Sequence, residues 1–190
     1  MKLPLLRIMA RMKPFTGSFF QINNKRMITI SEATTADIQT IQRIAYQTWP
    51  DTYGKILSKV QLIYMLDCFY SEATLKDNMV NKHHHFLLAH DNDTPVGFAS
   101  YEHNYNQRKV TRIHKIYILP EIQGKGIGKL LLDKIEALAK ENDSTTLSLN
   151  VNRMNKALTF YQKIGFKIIA DEDIEIGHGY LMEDFVMEKQ

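Results

Sequence analysis

Three glycines at alternate positions interrupt the chain at residues 123–129, where the sequence is Gln-Gly-Lys-Gly-Ile-Gly-Lys. Glycine has no side chain, so the backbone of such a loop can approach a ligand closely. A helical pattern follows, and the first turn of a helix offers unpaired N–H groups at the positive end of its dipole. Lys125 and Lys129 add positive charge to the same loop. The loop therefore predicts a site for a phosphate or pyrophosphate.

Two common phosphate-binding loops do not match this stretch. A P-loop requires glycine where Gln123 stands and Ser or Thr where Leu130 stands. A dinucleotide fingerprint requires Gly-x-Gly-x-x-Gly after the first strand, whereas here the spacing is Gly-x-Gly-x-Gly after the third central strand. A tight turn that binds nothing needs only one glycine. The pattern thus favours a phosphate loop of another kind.

The elements around the loop alternate between strand and helix periods. Apolar residues at helical spacing follow the loop, and an apolar run that ends at Pro120 precedes it. The predicted strands cover 27–30, 86–89, 96–101, 113–119, 147–151, 166–170 and 180–187. The predicted helices cover 34–50, 58–69, 71–79, 127–139 and 155–164, the last ending at Gly165. This order predicts a mixed α/β domain without internal repeats.

The charge of the chain is unevenly distributed. The net charge of the 190 residues is +3, but residues 1–26 carry six basic residues and no acid, which leaves 18 basic against 21 acidic residues in 27–190. We therefore divide the chain into a basic leader or arm, 1–26, and one domain, 27–190. The domain is not predicted to bind nucleic acid. The single cysteine and the lack of a long apolar run favour a cytoplasmic protein without a membrane partner.

The leader has three interpretations. It is Arg-containing and acid-free like an organelle transit segment, but it is poor in serine. It could also follow from an upstream start, with Met27 as the natural beginning. We favour an accessory arm without chemistry, in which Phe15, Phe19, Phe20 and Ile22 supply apolar contacts.

The glycine loop resembles a known motif. Residues Gln123–Gly128 match the Gln/Arg-x-x-Gly-x-Gly/Ala pattern of the GNAT N-acetyltransferases. The preceding Ile118–Glu121 is similar to the Val-x-Pro-Glu lead-in of that family. Residues Ala157–Phe166 are similar to its Ala-x-x-x-Tyr-x-x-x-Gly-Phe segment. The resemblance extends over 27–187 in element order.

Three further segments resemble bacterial spermidine/spermine acetyltransferase-type members of that family. They are Thr52-Tyr53-Gly54, His114-Lys115-Ile116-Tyr117 and the stretch from Gly177 to Met182. The resemblance implies a mostly antiparallel sheet that is flanked by helices and splayed at its central parallel strand pair. It implies acetyl-CoA as co-substrate and no metal.

The resemblance also implies which residues bind acetyl-CoA. Backbone groups of the third central strand would pair with the pantetheine arm, and loop amides would bind the pyrophosphate. The implied residues are Ile116, Tyr117, Ile118, Gln123, Gly124, Lys125, Gly126, Ile127, Gly128, Lys129, Asn150 and Asn155. Met154 stands where the family often has asparagine, so the usual hydrogen bond of Asn155 is not assured.

The implied reaction is direct attack of an amine on the thioester. By motif position, Tyr161 is the expected general acid, although an aromatic residue on a helix is more often part of a core. Arg112 stands where some members carry a glutamate base, so we consider Glu102 and His114 instead. Alternation predicts that His114 shares a face with Ile116 and Ile118.

Two other polar clusters have simpler interpretations. His83, His84 and His85 are consecutive, and adjacent strand residues point to opposite faces, so we expect a solvated strand edge and no metal site. The acidic run at residues 171–175 is expected to be a solvated loop, which could also attract a polycation. Trp49, Asp51 and Tyr53 follow the first helix, where folds of this family place substrate contacts, and core packing is the alternative for Trp49.

The sequence therefore favours an N-acetyltransferase that acts on a small amine, with a polyamine as one candidate. A protein N-terminus or a lysine side chain is an alternative acceptor. Two different classes also stay open: a non-catalytic acyl-CoA-binding regulatory module, and a nucleic-acid-binding protein that uses the leader. A homodimer is one assembly that the sequence allows.

Overall fold

A computed structural model describes residues 27–190. The leader, 1–26, and the expectations placed on it lie outside the described residues. One seven-stranded sheet dominates the fold, in the order β1-β2-β3-β4-β5-β7-β6. Its strands are β1 (Ile28–Ala33), β2 (His85–Asp91), β3 (Thr94–Glu102), β4 (Val110–Ile118), β5 (Thr146–Asn152), β6 (Lys167–Glu175) and β7 (Leu181–Lys189). All strand pairs are antiparallel except β4–β5.

Five α-helices of residues 27–190 pack on the sheet. They are α1 (Ile38–Tyr53), α2 (Lys59–Tyr70), α3 (Glu72–Val80), α4 (Ile127–Glu141) and α5 (Ala157–Lys163). The apolar stripes of α1 and α4 pack against β3 and β4 from opposite sides, with side chains such as Ile41 and Leu131 fully buried. Among the described residues, no helix is both long and apolar enough to cross a membrane.

The central parallel pair separates along its length. β4 and β5 are in register only from Val110 opposite Thr146 to Ile113 opposite Leu149. Beyond that point β4 stays paired with β3 as far as Ile118, while β5 stays paired with β7 as far as Asn152. The two strands therefore diverge, and the predicted mixed sheet with a splayed parallel pair is confirmed.

A register shift between β3 and β4 changes which face His114 occupies. Ser100 is opposite Lys115 and Tyr101 is opposite Ile113, so His114 is the extra residue of a β-bulge. Its imidazole hydrogen-bonds to Glu102, on the side opposite to Ile116. The predicted alternation of His114 with Ile116 and Ile118 is therefore wrong, because strict alternation holds only without a bulge.

The acidic run at residues 171–175 is a strand and not the loop that its composition suggested. It forms the second half of β6 and pairs with the start of β7, with Glu172 opposite Asp184. Because the run is in a strand, its side chains alternate between faces: Glu172 shares the face of Asp184, and Asp171 shares the face of Phe185. The negative charge of the run is therefore divided between the two faces of the sheet.

Gly97 allows β3 to approach the end of β4. A Cβ at this position would lie 2.9 Å from the carbonyl oxygen of Tyr117 and 2.8 Å from Cδ1 of Ile118. We predict that Gly97→Ala destabilises the fold by about 1–3 kcal/mol, because the two strands must move apart. Thermal or urea unfolding of the ligand-free protein measures this.

Gly128→Ala is the matched control, because the nearest atom to its added Cβ is 4.0 Å away on Phe160. This helical substitution should leave stability unchanged or raise it by up to about 1 kcal/mol. If Gly97→Ala and Gly128→Ala had equal free energies of unfolding, the close approach of β3 to β4 at Gly97 would be contradicted.

Candidate active site

The glycine loop leaves its backbone open between β4 and α4. A 3₁₀ turn at Pro120–Ile122 follows β4, and Nε2 of Gln123 donates to the carbonyl oxygen of Ile118 at 2.9 Å. Gly124 and Gly126 have φ of +76° and +81°, and an added Cβ would meet nothing within 4 Å at either. This backbone, at the N-terminus of a 15-residue helix, suits a diphosphate.

The two loop lysines already have partners. Lys129 donates to the carboxylate of Asp133 at 2.6 Å, and Lys125 donates to the carbonyl oxygen of Glu121 at 3.4 Å. Both lysines are exposed, so these contacts can exchange for an anion at low cost.

The divergence of β4 from β5 leaves a strip of backbone without a strand partner. Residues Ile116–Ile118 pair with β3 along one edge only. Backbone groups on the other edge face the gap, where an extended ligand that carries amides can satisfy them. The strip ends where the glycine loop begins, so one elongated molecule can contact both.

The two asparagines on the β5 side have protein partners. Nδ2 of Asn150 donates to Oε2 of Glu172 at 2.8 Å, while its Oδ1 is buried without a hydrogen bond. Oδ1 of Asn155 accepts the backbone N–H of Ala157 at 2.9 Å, and its side chain lies near the hydroxyl of Tyr53. Asn155 thus organises the start of α5.

Aromatic side chains line the gap on the α1 side. The hydroxyls of Tyr53 and Tyr117 lie 3.3 Å apart, and Nε1 of Trp49 donates to the hydroxyl of Tyr70 at 3.3 Å. Trp49 is 3% exposed, which favours core packing over a substrate contact. Burial raises the pKa of Tyr53, Tyr70 and Tyr117 well above the usual range, so these phenols stay protonated.

Tyr161 approaches the gap from α5. Its ring packs on Phe160 and Phe166, and its hydroxyl makes no hydrogen bond to any described residue. Burial, with Tyr53 nearby, raises the pKa of Tyr161, so its phenol carries a proton at physiological pH. The side chain is therefore a proton donor without an assigned acceptor.

A cluster of one carboxylate and two imidazoles lies beside β4. Nε2 of His114 is 3.0 Å from Oε2 of Glu102, and Nε2 of His84 is 3.6 Å from the same oxygen. The two rings stack with centroids 4.0 Å apart and planes 12° apart. His84 is therefore not part of a solvated strand edge, although the flanking His83 and His85 are exposed.

Burial controls protonation in this cluster. It lowers the pKa of His114 well below its usual range, and Lys115 adds repulsion, so the ring is neutral and can donate its N–H to Glu102. Burial raises the pKa of Glu102. Lys115 lies with Nζ 5.5 Å from the centre of the Tyr70 ring, and burial lowers its pKa to about 8.

The same three ligand atoms lie within 4.8 Å of one another, a spacing that a metal ion can bridge. A metal bound to an imidazole nitrogen lies near the plane of that ring. Because the rings of His84 and His114 are nearly parallel and stacked, one ion cannot lie in both planes. The arrangement favours a shared carboxylate over a metal centre.

A second carboxylate is buried on β7. Asp184 is 3% exposed, lies opposite Asn152 of β5 and has Glu172 as its neighbour on β6. Burial, followed by the charge of Glu172, raises the pKa of Asp184 to about 6. Arg112, which is also buried, donates to Oγ of Ser148 at 2.6 Å.

A cleft of about 380 Å³ opens beside Asp184. Its walls come from the α1–α2 connection, the β5–α5 turn and the start of β7. The lining residues are Ile56, Leu57, Gln61, Asn152, Arg153, Met154, Gly179, Tyr180, Leu181 and Glu183. The cleft has room for a small molecule between these three segments.

The fold brings the predicted strip, loop and Tyr161 to one gap, and it brings Glu102 and His114 together beside it. The sequence reasoning missed His84, Lys115 and Asp184. His84 was hidden because its partners come from β3 and β4, which are distant in sequence. Asp184 carried no comparable signal, because Glu183 precedes it and Glu188 follows in the same strand.

Comparisons with known proteins agree with this geometry. A family model described as an acetyltransferase (GNAT) domain matches residues 58–187. The spermidine N(1)-acetyltransferase of Thermoplasma acidophilum is 30% identical over 168 residues, which is 86% of this chain and 97% of that protein. The ribosomal protein bS18-alanine N-acetyltransferase of Haemophilus influenzae is 37% identical over 97 residues, 51% of this chain and 64% of that enzyme.

A solved structure is similar as well. The crystal structure of the PaiA N-acetyltransferase from Thermoplasma acidophilum in complex with coenzyme A has a TM-score of 0.73 and 28% identity to this chain. The match covers 86% of this chain and 99% of that one.

The raised pKa of Asp184 predicts a pH-dependent cost to stability. In the native protein the carboxyl of Asp184 keeps its proton up to about pH 6, whereas in the unfolded chain it ionises near pH 3.8. The native state is therefore favoured at low pH, and the free energy of unfolding falls as the pH rises towards 6. Asp184→Asn has no carboxyl to ionise and should not show this fall. The free energy of unfolding of the variant minus that of the parent should therefore be larger at about pH 7 than at about pH 4, by about 1–3 kcal/mol.

Urea unfolding at the two pH values measures this difference. Asp171→Asn, an exposed acid on β6 that faces the other way, is the control and should show no such gain. A stability difference for Asp184→Asn that does not change with pH would contradict the raised pKa of Asp184.

Proposed function

Because this chain belongs to the GNAT family of acetyltransferases, we propose that its acceptor is a primary amine on a small molecule, with polyamines as the leading class. The transfer of an acetyl group from acetyl-CoA is the activity of the family. One observation supports the site most directly: the strip of β4 without a β5 partner runs between the glycine loop and the bulge at His114, where Glu102 is hydrogen-bonded.

Acetyl-CoA supplies an acetyl thioester, whose carbonyl carbon an amine attacks. We assign the amides of Gly124 to Lys129 to its diphosphate, because their backbone is open and lies at a helix N-terminus. We assign the backbone of Ile116–Ile118 to its amide-bearing arm, because one edge of that strip has no strand partner. The N–H of Ile118 is the group we assign to the charge that develops on the carbonyl oxygen.

Tyr161 is the general acid in this proposal. The leaving thiolate requires a proton, and the phenol keeps its proton because burial disfavours the phenolate. Its hydroxyl has no protein acceptor, so it is available to a group that enters the gap. The neighbouring tyrosines 53 and 117 bond to each other and are less free to donate.

Glu102 is the better of the two candidate bases. An alkyl ammonium with pKa near 10.4 costs about 4–5 kcal/mol to deprotonate at neutral pH, so a proton acceptor is needed. A neutral imidazole with a strongly lowered pKa holds a proton poorly, which disfavours His114. Burial raises the proton affinity of Glu102, and His114 orients its carboxylate with a hydrogen bond of 3.0 Å.

A protein N-terminus is the second candidate acceptor. The 37% identity to a ribosomal-protein alanine acetyltransferase over half of the chain supports it. The longer match to a spermidine acetyltransferase, over 86% of the chain, favours the small amine. Because the family consists of enzymes, we do not retain the non-catalytic acyl-CoA-binding module. Acetyl-CoA turnover with monoamines, polyamines and N-terminal peptides separates the two acceptors, and turnover with peptides alone would contradict our proposal.

Tyr161→Phe should lower kcat by about 100-fold or more, because the ring and its packing remain while the proton donor is lost. Coenzyme A affinity should not change, since the phenol is not assigned to binding. Thiol release measures the first quantity and calorimetry the second.

Tyr46→Phe, on the exposed surface of α1, controls for the loss of a hydroxyl as such. An unchanged kcat in Tyr161→Phe would remove Tyr161 as the acid.

Glu102→Gln should lower kcat/KM by about 100-fold, because the amide cannot accept the proton of the acceptor amine. The acidic limb of the pH profile, which we attribute to a carboxyl with a raised pKa, should disappear in this variant. Steady-state rates across pH test both expectations.

His114→Gln tests the orienting role, because the amide can still donate to Glu102. It should reduce the rate less than Glu102→Gln does and keep the acidic limb. The reverse order of effects would assign the base to His114.

A further inference from the structure

The side-chain amide of Asn150 has one partnered end and one unpartnered end. Its Nδ2 donates to Oε2 of Glu172 at 2.8 Å, whereas its Oδ1 is buried without a hydrogen bond to any described residue. Buried side-chain oxygens in folded proteins nearly always accept a hydrogen bond, because an unpaired one costs free energy. A buried acceptor without a protein donor therefore points to an N–H or O–H group of a ligand.

Glu172 fixes which end of the amide is unpartnered. A carboxylate can only accept hydrogen bonds, so the amide nitrogen of Asn150 must lie towards Glu172. The amide oxygen is at the other end of the same planar group and is therefore turned away from Glu172. Glu172 is on β6 and Asn150 on β5, with β7 between them, so this hydrogen bond spans a whole strand.

Asn150 lies where β5 begins to leave β4. The preceding residue, Leu149, is the last that is in register with β4, opposite Ile113. From Asn150 onwards β5 is paired with β7 alone, with Asn150 opposite Val186. Asn150 is therefore at the closed end of the gap.

Asn150 and Glu102 are on the same face of the sheet. Glu102 is opposite Arg112, Arg112 is opposite Ser148, and Asn150 is two residues beyond Ser148. Residues that are opposite each other, or two apart on one strand, share a face. Only β4 separates the strands of Glu102 and Asn150, which places their backbones about 10 Å apart across the sheet. Side chains that extend from backbones at this separation can contact one small molecule between them.

The cofactor arm is a less suitable partner for this oxygen than the acceptor. In the proposed function the arm pairs with the backbone edge of Ile116–Ile118, in the plane of the sheet. The side chain of Asn150 stands out of that plane, on the face that carries the base Glu102. The family resemblance groups Asn150 with acetyl-CoA, whereas the face on which it lies favours the acceptor amine.

We infer that Oδ1 of Asn150 accepts an N–H of the attacking amine, and that Glu172 is a positioning residue that holds the amide in this orientation. The inference rests on the proposed function, in which Glu102 takes one proton from the acceptor ammonium. The neutral primary amine then keeps two N–H bonds, and a hydrogen bond to one of them limits the directions in which its lone pair points. A lone pair directed at the thioester carbon reacts faster than one that turns freely.

Asn150→Leu keeps the approximate size of the side chain and removes its acceptor. It should lower kcat/KM for 1,4-diaminobutane by about 30-fold or more and leave the affinity for coenzyme A unchanged. Glu172→Ala should lower kcat/KM by about 5–10-fold, because the amide can then turn. Glu172→Gln, whose own amide oxygen can accept from Nδ2, should restore most of the rate. Asp171→Ala, the neighbouring exposed acid that faces the other side of β6, is the control and should have no effect.

A double variant separates positioning from a structural role. Because Glu172 acts through Asn150, Glu172→Ala should have no further effect on kcat/KM in the Asn150→Leu background. Equal losses from Glu172→Ala in the two backgrounds would overturn the positioning role. An unchanged kcat/KM in Asn150→Leu, or a loss of its affinity for coenzyme A, would overturn the assignment of Oδ1 to the amine.

Two acceptors separate this inference from the proposed function. If the parent acetylates N-terminal peptides but not 1,4-diaminobutane, the proposed function fails, and an equal loss in Asn150→Leu with a peptide would uphold the inference. If 1,4-diaminobutane is acetylated and Asn150→Leu matches the parent rate, the inference fails while the proposed function stands. If neither acceptor is acetylated, both fail.

Discussion

The divergence of β4 from β5 is the constraint on which the rest of the site depends. Four residue pairs hold the two strands in register, after which each follows its other neighbour. Backbone groups cannot be left unpaired inside a protein without cost, so the strip at Ile116–Ile118 requires water or a ligand. The fold tolerates this strip because β3 secures its other edge. A cofactor arm with its own amides is the natural partner for it.

Acidic side chains lie at two separate places on the sheet. At the first place, on β3, the carboxylate of Glu102 is hydrogen-bonded to His114, whose ring stacks on that of His84. At the second, Asp184 of β7 lies opposite Glu172 of β6. Burial keeps the phenols of Tyr53, Tyr117 and Tyr161 protonated, so these side chains are proton donors and not phenolates. Such a face suits a cationic amine that must lose one proton before it reacts.

The sequence predicted the parts of this site that depend on local pattern. Residues Gln123–Gly128 predict their loop because the glycines and the following helix are contiguous, and the family resemblance supplies the splayed sheet. The position of His114 could not be predicted, since a bulge depends on the register that β3 imposes. Asp184 escaped notice for a related reason. Its burial and its pairing with Glu172 arise only when β6 and β7 come together, and composition made the acidic run look like a loop.

Hydrogen–deuterium exchange of the backbone amides, with and without coenzyme A, tests the central claim most directly. Our account predicts that saturating coenzyme A slows exchange in two separate segments, Ile116–Ile118 of β4 and Gly124–Gly128 of the loop. The paired amides of β4 at Val110–Ile113 should exchange at the same rate in both states. Unchanged exchange at Ile116–Ile118, with coenzyme A bound, would contradict the claim that the unpaired edge of β4 is where the cofactor arm binds.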